Sequence, residues 1–233
     1  MGRIVLVTGT DTGVGKTVAC AWLAWKASRA GRVALLKAVQ TGADPGVDGD
    51  EAFYRTALRG TDVTLGTLAS FPESLAPLIA ARRAGRPLDF EALSRQCESV
   101  AAAHDLTLVE GSGGLLVPLD EERDFADLAR RLDAPLAVVV RPGLGTLNHT
   151  ALTLEAAGRR GLEVPLLICS GASPEPDVVE AENLRFFAAL REARQARSPV
   201  ALLVIERALE GGASRPQRLT VRIEGPSPEW LPG

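Results

Sequence analysis

The segment Gly9-Thr10-Asp11-Thr12-Gly13-Val14-Gly15-Lys16-Thr17 combines flexible glycines, an ammonium and a hydroxyl in one short turn. If it joins a buried strand to a helix, its backbone N–H groups and the helix N-terminus can surround phosphate oxygens. Lys16 then reaches the β- and γ-phosphates, and the Thr17 hydroxyl ligates Mg²⁺. The match to G-x-x-x-x-G-K-[ST] is irregular, because Thr10 stands where the first glycine belongs and Gly9 comes one position early. Mg²⁺ prefers oxygen ligands, usually one or two carboxylates besides phosphate and water. Glu110 closes an apolar run just before Gly111-Ser112-Gly113-Gly114, the strand-end position where open parallel sheets bind ligands. Asp50 is a second candidate, with Asp44, Asp48 and Glu51 beside it as alternatives. Lys37 ends another apolar run, and an ammonium there can neutralise charge that develops in phosphoryl transfer. Gly143-Leu144-Gly145-Thr146-Leu147-Asn148-His149-Thr150 has the pattern of a helix start, with Thr146 or Asn148 as cap and free N–H groups suited to an anion. His104 and His149 are the only histidines; neither belongs to a nucleophile or metal pattern, and both are read as structural.

These groups need a frame. The chain has 233 residues, the length of one α/β domain, with 46% apolar and 24% charged residues. A net charge of −3 provides no basic footprint for nucleic acid. No apolar run reaches the roughly 18–20 residues that cross a membrane, and the N-terminus enters its glycine loop too early for a signal peptide. Cys20, Cys97 and Cys169 lack metal spacing and read as reduced thiols of a cytoplasmic protein. Only three of the 26 basic residues are lysines, Lys16, Lys26 and Lys37. Two of them fall in the motifs above, where a compact ammonium differs from a guanidinium.

Strands are expected at 3–8, 32–37, 106–110, 136–141, 164–170 and 200–205. Helices are expected at 16–30, 50–59, about 75–83, 90–103, 125–132, 145–160 and 177–196, with glycine-rich loops between. This alternation predicts a three-layer α/β fold of the P-loop NTPase type, with a mostly parallel sheet of about seven strands covered on both faces. Residues 1–210 form the domain in this reading, and 211–233 an irregular Gly/Pro-rich tail. The uneven stretch 38–88 reads as an insertion suited to substrate-specific loops.

Taken together, four motifs resemble the dethiobiotin synthetase family. They are Val7 to Thr17, Lys37-Ala38-Val39-Gln40-Thr41-Gly42, Val109-Glu110-Gly111-Ser112-Gly113-Gly114 and Leu144-Gly145-Thr146-Leu147-Asn148-His149. They come in the family's order over residues 3 to about 205, and the family's phosphate loop carries the same extra residue before Gly15. The resemblance implies that ATP, CO₂ (or bicarbonate) and 7,8-diaminopelargonate give dethiobiotin, ADP and phosphate with Mg²⁺. A substrate carbamate is phosphorylated to a carbamic–phosphoric anhydride, and the second amine closes the ring.

The resemblance also implies site residues. Gly13, Val14, Gly15, Lys16, Thr17 and Val18 hold phosphates, and Thr17, Asp50 and Glu110 form the Mg²⁺ set. Asp50 is preferred to Asp48 because Tyr54 follows at the family's interval. Lys37 is catalytic, helped by Lys16; Thr12 and Thr41 lie near carbamate and diamine; Gly111, Ser112, Gly113, Ser170 and Gly171 border the nucleotide. Gly145, Thr146, Leu147 and Asn148 cap the substrate carboxylate from a partner subunit, which implies a homodimer. The chain departs from the family's pattern at Ala38 (usually proline), Leu78 (often histidine), Ser170-Gly171 (an asparagine that reads adenine) and Val204 to Arg207, where a late Gly-x-x-Pro loop is missing. Two other readings are a cobyrinate-type ATP-dependent amide synthetase domain and a ParA/MinD-like switch ATPase. The latter usually carries a further lysine early in the phosphate loop, and Thr10-Asp11-Thr12 has none.

Overall fold

The computed structural model describes residues 2–43, 49–194, 200–206 and 216–232. β1 (Arg3–Gly9) is β-branched and apolar, and its side chains alternate between two cores. Ile4 and Leu6 face one, Val5 and Val7 the other, as a period of two requires of a strand covered on both faces. Beside it run β2 (Val33–Thr41), β3 (Thr64–Phe71), β4 (Leu106–Gly114), β5 (Leu136–Val140), β6 (Leu166–Ala172) and β7 (Ala201–Glu206), all parallel. β8 (Val221–Glu224) adds antiparallel to β7, giving the order β3-β2-β4-β1-β5-β6-β7-β8.

One face is covered by α1 (Lys16–Ala27) and α2 (Asp50–Ala57), whose Leu23 and Tyr54 are fully packed. The other carries α3 (Pro77–Arg83), α4 (Phe90–Ala101), α5 (Phe125–Arg131), α6 (Thr146–Arg159) and α7 (Val178–Arg194), with Phe90, Phe125, Leu154 and Phe187 in its core. Caps fix where these helices begin. Asp89 accepts from the Ala92 N–H at 2.8 Å to start α4. Asp124 and Asp127 form a reciprocal capping box at α5. Pro77 opens α3, where its missing N–H costs nothing.

The α/β class, the mostly parallel sheet and its strand count, eight among the described residues where about seven were expected, agree with the sequence reading; three features correct it. β3 lies in the stretch read as insertion loop; its small residues and Gly66 suit a half-buried edge more than a core strand. The C-terminal segment is not an irregular tail, since a 3₁₀ turn (Pro216–Arg218) leads to β8, which joins the same sheet, and Leu231 is buried in the core. The turn after Glu110 is also shorter, because β4 continues to Gly114. Residues 195–196 of the expected last helix, Arg207 and 211–215 lie outside the described residues. Among the described residues no helix is long and apolar enough to cross a membrane.

Candidate active site

The carboxyl ends of β1, β2 and β4 converge because these strands are neighbours in the sheet. The cleft there has a volume of about 740 Å³. Its floor is the β1–α1 turn. Gly15 takes a left-handed conformation (φ 92°) and starts α1 without a side-chain cap, which leaves the first helical N–H groups facing the cleft. Gly13, also left-handed at φ 74°, Thr12 and Val18 lie along the same turn. The early Gly9 has its own reason: a Cβ there would come within 2.7 Å of Val14 Cγ2. Val14 itself is buried and does not line the cleft. The Lys16 ammonium donates to the Asp11 carbonyl at 3.0 Å, folded over the loop. Burial holds it below the usual lysine range, against the pull of Glu110.

A charged cluster forms the wall. Lys37 on β2 and Glu110 on β4 are register partners, so their side chains leave adjacent strands side by side. Lys37 Nζ donates to Glu110 Oε1 at 2.9 Å and to the Gly111 carbonyl at 3.3 Å, and pairs with Asp50 Oδ2. The Thr17 hydroxyl lies 2.9 Å from Asp50 Oδ1 and 3.3 Å from Glu110 Oε1. Glu110 is 1% exposed, and its Oε2 is buried with no hydrogen-bond partner among the described residues. Burial opposes charge on Lys37, yet Glu110 and Asp50 outweigh it and hold the ammonium above the usual lysine range. Full burial pushes the Glu110 carboxyl up against the pull of Lys37, and Asp50 adds to the push.

Two carboxylates and a hydroxyl around a buried unpaired oxygen form a donor set that suits a small hard cation. Together with the ammoniums and turn N–H groups, they can bind and polarise a polyphosphate.

Most expected residues therefore meet. Thr12, Thr41, Ser112 and Gly113 also line the cleft, Ser112 donating to the Val39 carbonyl. The acidic alternatives separate: Glu51 turns away to accept from Thr67 Oγ1 at 2.6 Å, and Asp44 and Asp48 lie outside the described residues. Ser170 and left-handed Gly171 end β6 beside the turn, where a Cβ on Gly15 would meet Ser170 Oγ at 2.4 Å. Gly145 to Asn148 do not line the cleft of this chain. Gly145 starts α6 in a left-handed conformation, and the Thr146 hydroxyl is buried with no partner among the described residues. His104 bonds the Val100 carbonyl and Thr64 Oγ1 at 2.7 and 2.8 Å, a structural role.

Sequence reasoning missed Gln40, which lines the cleft from β2, and the apolar wall formed by Leu75, Ala76, Pro77 and Val117. Gln40 lies three residues past Lys37, within the second motif. The wall carries no chemical signature beyond being apolar.

A family model described as an AAA domain matches residues 3–202. The ATP-dependent dethiobiotin synthetase BioD of Rhodococcus erythropolis is 50% identical over 183 residues, covering 77% of this chain and 80% of the relative. That of Mycobacterium avium is 50% identical over 201 residues, 84% of each chain. That of Mycolicibacterium vanbaalenii is 42% identical over 236 residues, 99% of this chain and 98% of the relative. Among solved structures, a ParA family ATPase from Chlorobium tepidum superposes with a TM-score of 0.57 at 13% identity, covering 91% of this chain and 88% of its own. The septum site-determining protein MinD from Pyrococcus horikoshii, complexed with Mg-ADP, gives 0.55 at 19% identity, with 89% and 82% covered. These two likenesses establish the fold alone.

Proposed function

The chain belongs to the ATP-dependent dethiobiotin synthetase family, within the AAA domain family, and from that premise we propose how its cleft performs the reaction. The activity is that of an ATP-dependent ligase of biotin biosynthesis. The observation that carries the site assignment is the meeting of Lys37, Thr17, Asp50 and Glu110 beside the Gly13–Thr17 turn.

ATP places its β- and γ-phosphates against the N–H groups of Gly13 to Val18 and the Lys16 ammonium. Ser170 and Gly171 border the base, and the backbone of Gly111 to Gly113 closes the opposite side. Thr17, Asp50 and Glu110 would hold Mg²⁺, which supplies charge neutralisation at the phosphates when bound. The alkyl chain of 7,8-diaminopelargonate lies on the wall of Leu75, Pro77 and Val117, with its amines toward Thr12, Thr41 and Lys37. One amine adds to CO₂ and loses a proton, giving a carbamate. A carbamate oxygen attacks the γ-phosphorus while the bond to the β-phosphate oxygen breaks, releasing ADP. The second amine then attacks the carbamate carbon, closes the ring and expels phosphate. Lys37 stabilises charge on the carbamate and the transferring phosphoryl group, and Lys16 does so on the leaving phosphate. No protein nucleophile is needed, because positioning and charge stabilisation carry the phosphoryl transfer.

The start of α6 serves the substrate carboxylate of a second copy of the chain. Its free N–H groups suit an anion, and the adjacent Leu144 and Leu152 are 81% and 58% exposed, as a surface covered by a partner requires. Incubation with diaminopelargonate, ¹³C-bicarbonate, Mg²⁺ and ATP should give dethiobiotin with the label in its ureido carbon. Unlabelled product, or product formed without ATP, would contradict this sequence of steps.

A further inference from the structure

Gln40 sits on the strand that carries Lys37 and faces the first turn of α2. Among the described residues that helix has no side-chain cap from its own N-cap position; Gly49 precedes it at φ 95°. Instead the Gln40 Oε1 accepts from the backbone N–H of Asp50 at 3.1 Å. The opposite end of the amide is also engaged, Nε2 donating to the Thr41 carbonyl at 2.9 Å. The two bonds require opposite ends of the amide, so its orientation is fixed. A Cβ on Gly49 would lie 2.9 Å from both Gln40 Cδ and Oε1, so Gly49 also packs against this side chain. The rest of α2 is held by other groups: Glu51 by Thr67 on β3, and Tyr54, 1% exposed, by the core. Among the described residues Gln40 is thus the side chain that accepts from the backbone of the first turn, and Asp50 is the first residue of that turn.

We propose that Gln40 is a positioning residue that holds the Asp50 carboxylate against Thr17, Lys37 and Glu110 by capping α2 from the neighbouring strand. It acts through Asp50. A loosened first turn leaves Lys16, Lys37 and Glu110 in place but spoils the donor set for the divalent cation. The role rests on the reading of Thr17, Asp50 and Glu110 as the cation's ligands. Groups that orient a metal ligand typically change metal affinity by about 10-fold or more when removed.

The test compares the full-length wild type with Gln40→Met, which keeps the shape but loses the acceptor, and Gln40→Glu, which keeps an acceptor. Mn²⁺ replaces Mg²⁺, a non-hydrolysable ATP analogue is present, and free Mn²⁺ is read by electron paramagnetic resonance. Gln40→Met should bind Mn²⁺ about 10-fold more weakly, and Gln40→Glu, which keeps the acceptor and adds negative charge to the cleft, should bind it at least as well as wild type. Thr67→Val, which cuts the hold on α2 elsewhere, serves as the structural control: it should lower the melting temperature and leave Mn²⁺ affinity unchanged. Wild-type affinity in Gln40→Met, weakness in Gln40→Glu equal to that in Gln40→Met, or an equal loss in Thr67→Val would overturn the role. A wild type that binds no Mn²⁺ with the analogue contradicts the ligand reading itself, and the role of Gln40 falls with it.

Discussion

Lys37 is surrounded by acceptors from three directions, Glu110, Asp50 and the Gly111 carbonyl, at 5% exposure. Such an ammonium is pre-placed and costs little reorganisation when negative charge builds beside it. Lys37→Ala should lower dethiobiotin formation by roughly 10²–10³-fold while circular dichroism stays native; near-normal turnover would remove its catalytic role. Glu110→Gln keeps the shape and removes a charge, so the Mg²⁺ concentration for half-maximal rate should rise about 10-fold or more. The same dependence in both proteins would show that Glu110 is not a ligand. Gly15-Lys16-Thr17 could be found in the sequence because it closes a glycine-rich turn before a helix, and Lys37 and Glu110 because each puts a charge after an apolar run. Asp50 could not be separated from its acidic neighbours on residue chemistry alone; that depended on family spacing, and only three-dimensional placement turns Glu51 away. Gln40 was invisible because its role is a contact across ten positions of sequence.

At the level of elements, long buried strands and capped helices were legible through apolar runs and glycine stops. β3 and β8 were not. Both lie at sheet edges, where one side is unpaired and burial is partial, so neither shows a continuous apolar run. β8 nevertheless contributes to the fold, since it covers the edge of β7 and leads to the buried Leu231. A chain truncated after residue 206 should melt several degrees lower and scatter light on heating, because β7 becomes an exposed edge. An unchanged melting curve would reduce the segment to an appendage. The α5 capping box makes a smaller prediction: Asp124→Ala should cost about 1 kcal/mol in urea unfolding, and no change would mean the cap is not limiting.

For the whole molecule, the two sides of the sheet divide the labour: α1 and α2 bring Lys16, Thr17 and Asp50 to the cleft, and α3 to α7 build the second core, add Pro77 to the cleft and present the start of α6 outward. The thiols report on both cores. Burial pushes Cys97 and Cys169 up to about 12, and it raises Cys20 well above its ordinary value too. Neutral thiols resist alkylation, so at pH 8 iodoacetamide should label native protein slowly and unfolded protein quickly; rapid native labelling would contradict the packing. Because the native state keeps these protons while the unfolded chain loses them near its ordinary value of 9.0, stability should fall as pH rises from about 9 toward 12. If α6 completes the partner's site, Lys37→Ala and Gly145→Pro proteins, each inactive alone, should regain activity when refolded together.

In the proposed reaction one cleft gathers a triphosphate, a divalent ion and the diamine between two lysines. A crystal structure with a non-hydrolysable ATP analogue, Mg²⁺ and diaminopelargonate tests it directly. The β- and γ-phosphates should rest on the backbone of Gly13 to Thr17, the ion on Thr17, Asp50 and Glu110, and an amine of the diamine beside Lys37. Phosphates bound away from that turn, or an ion coordinated without Asp50 and Glu110, would contradict it.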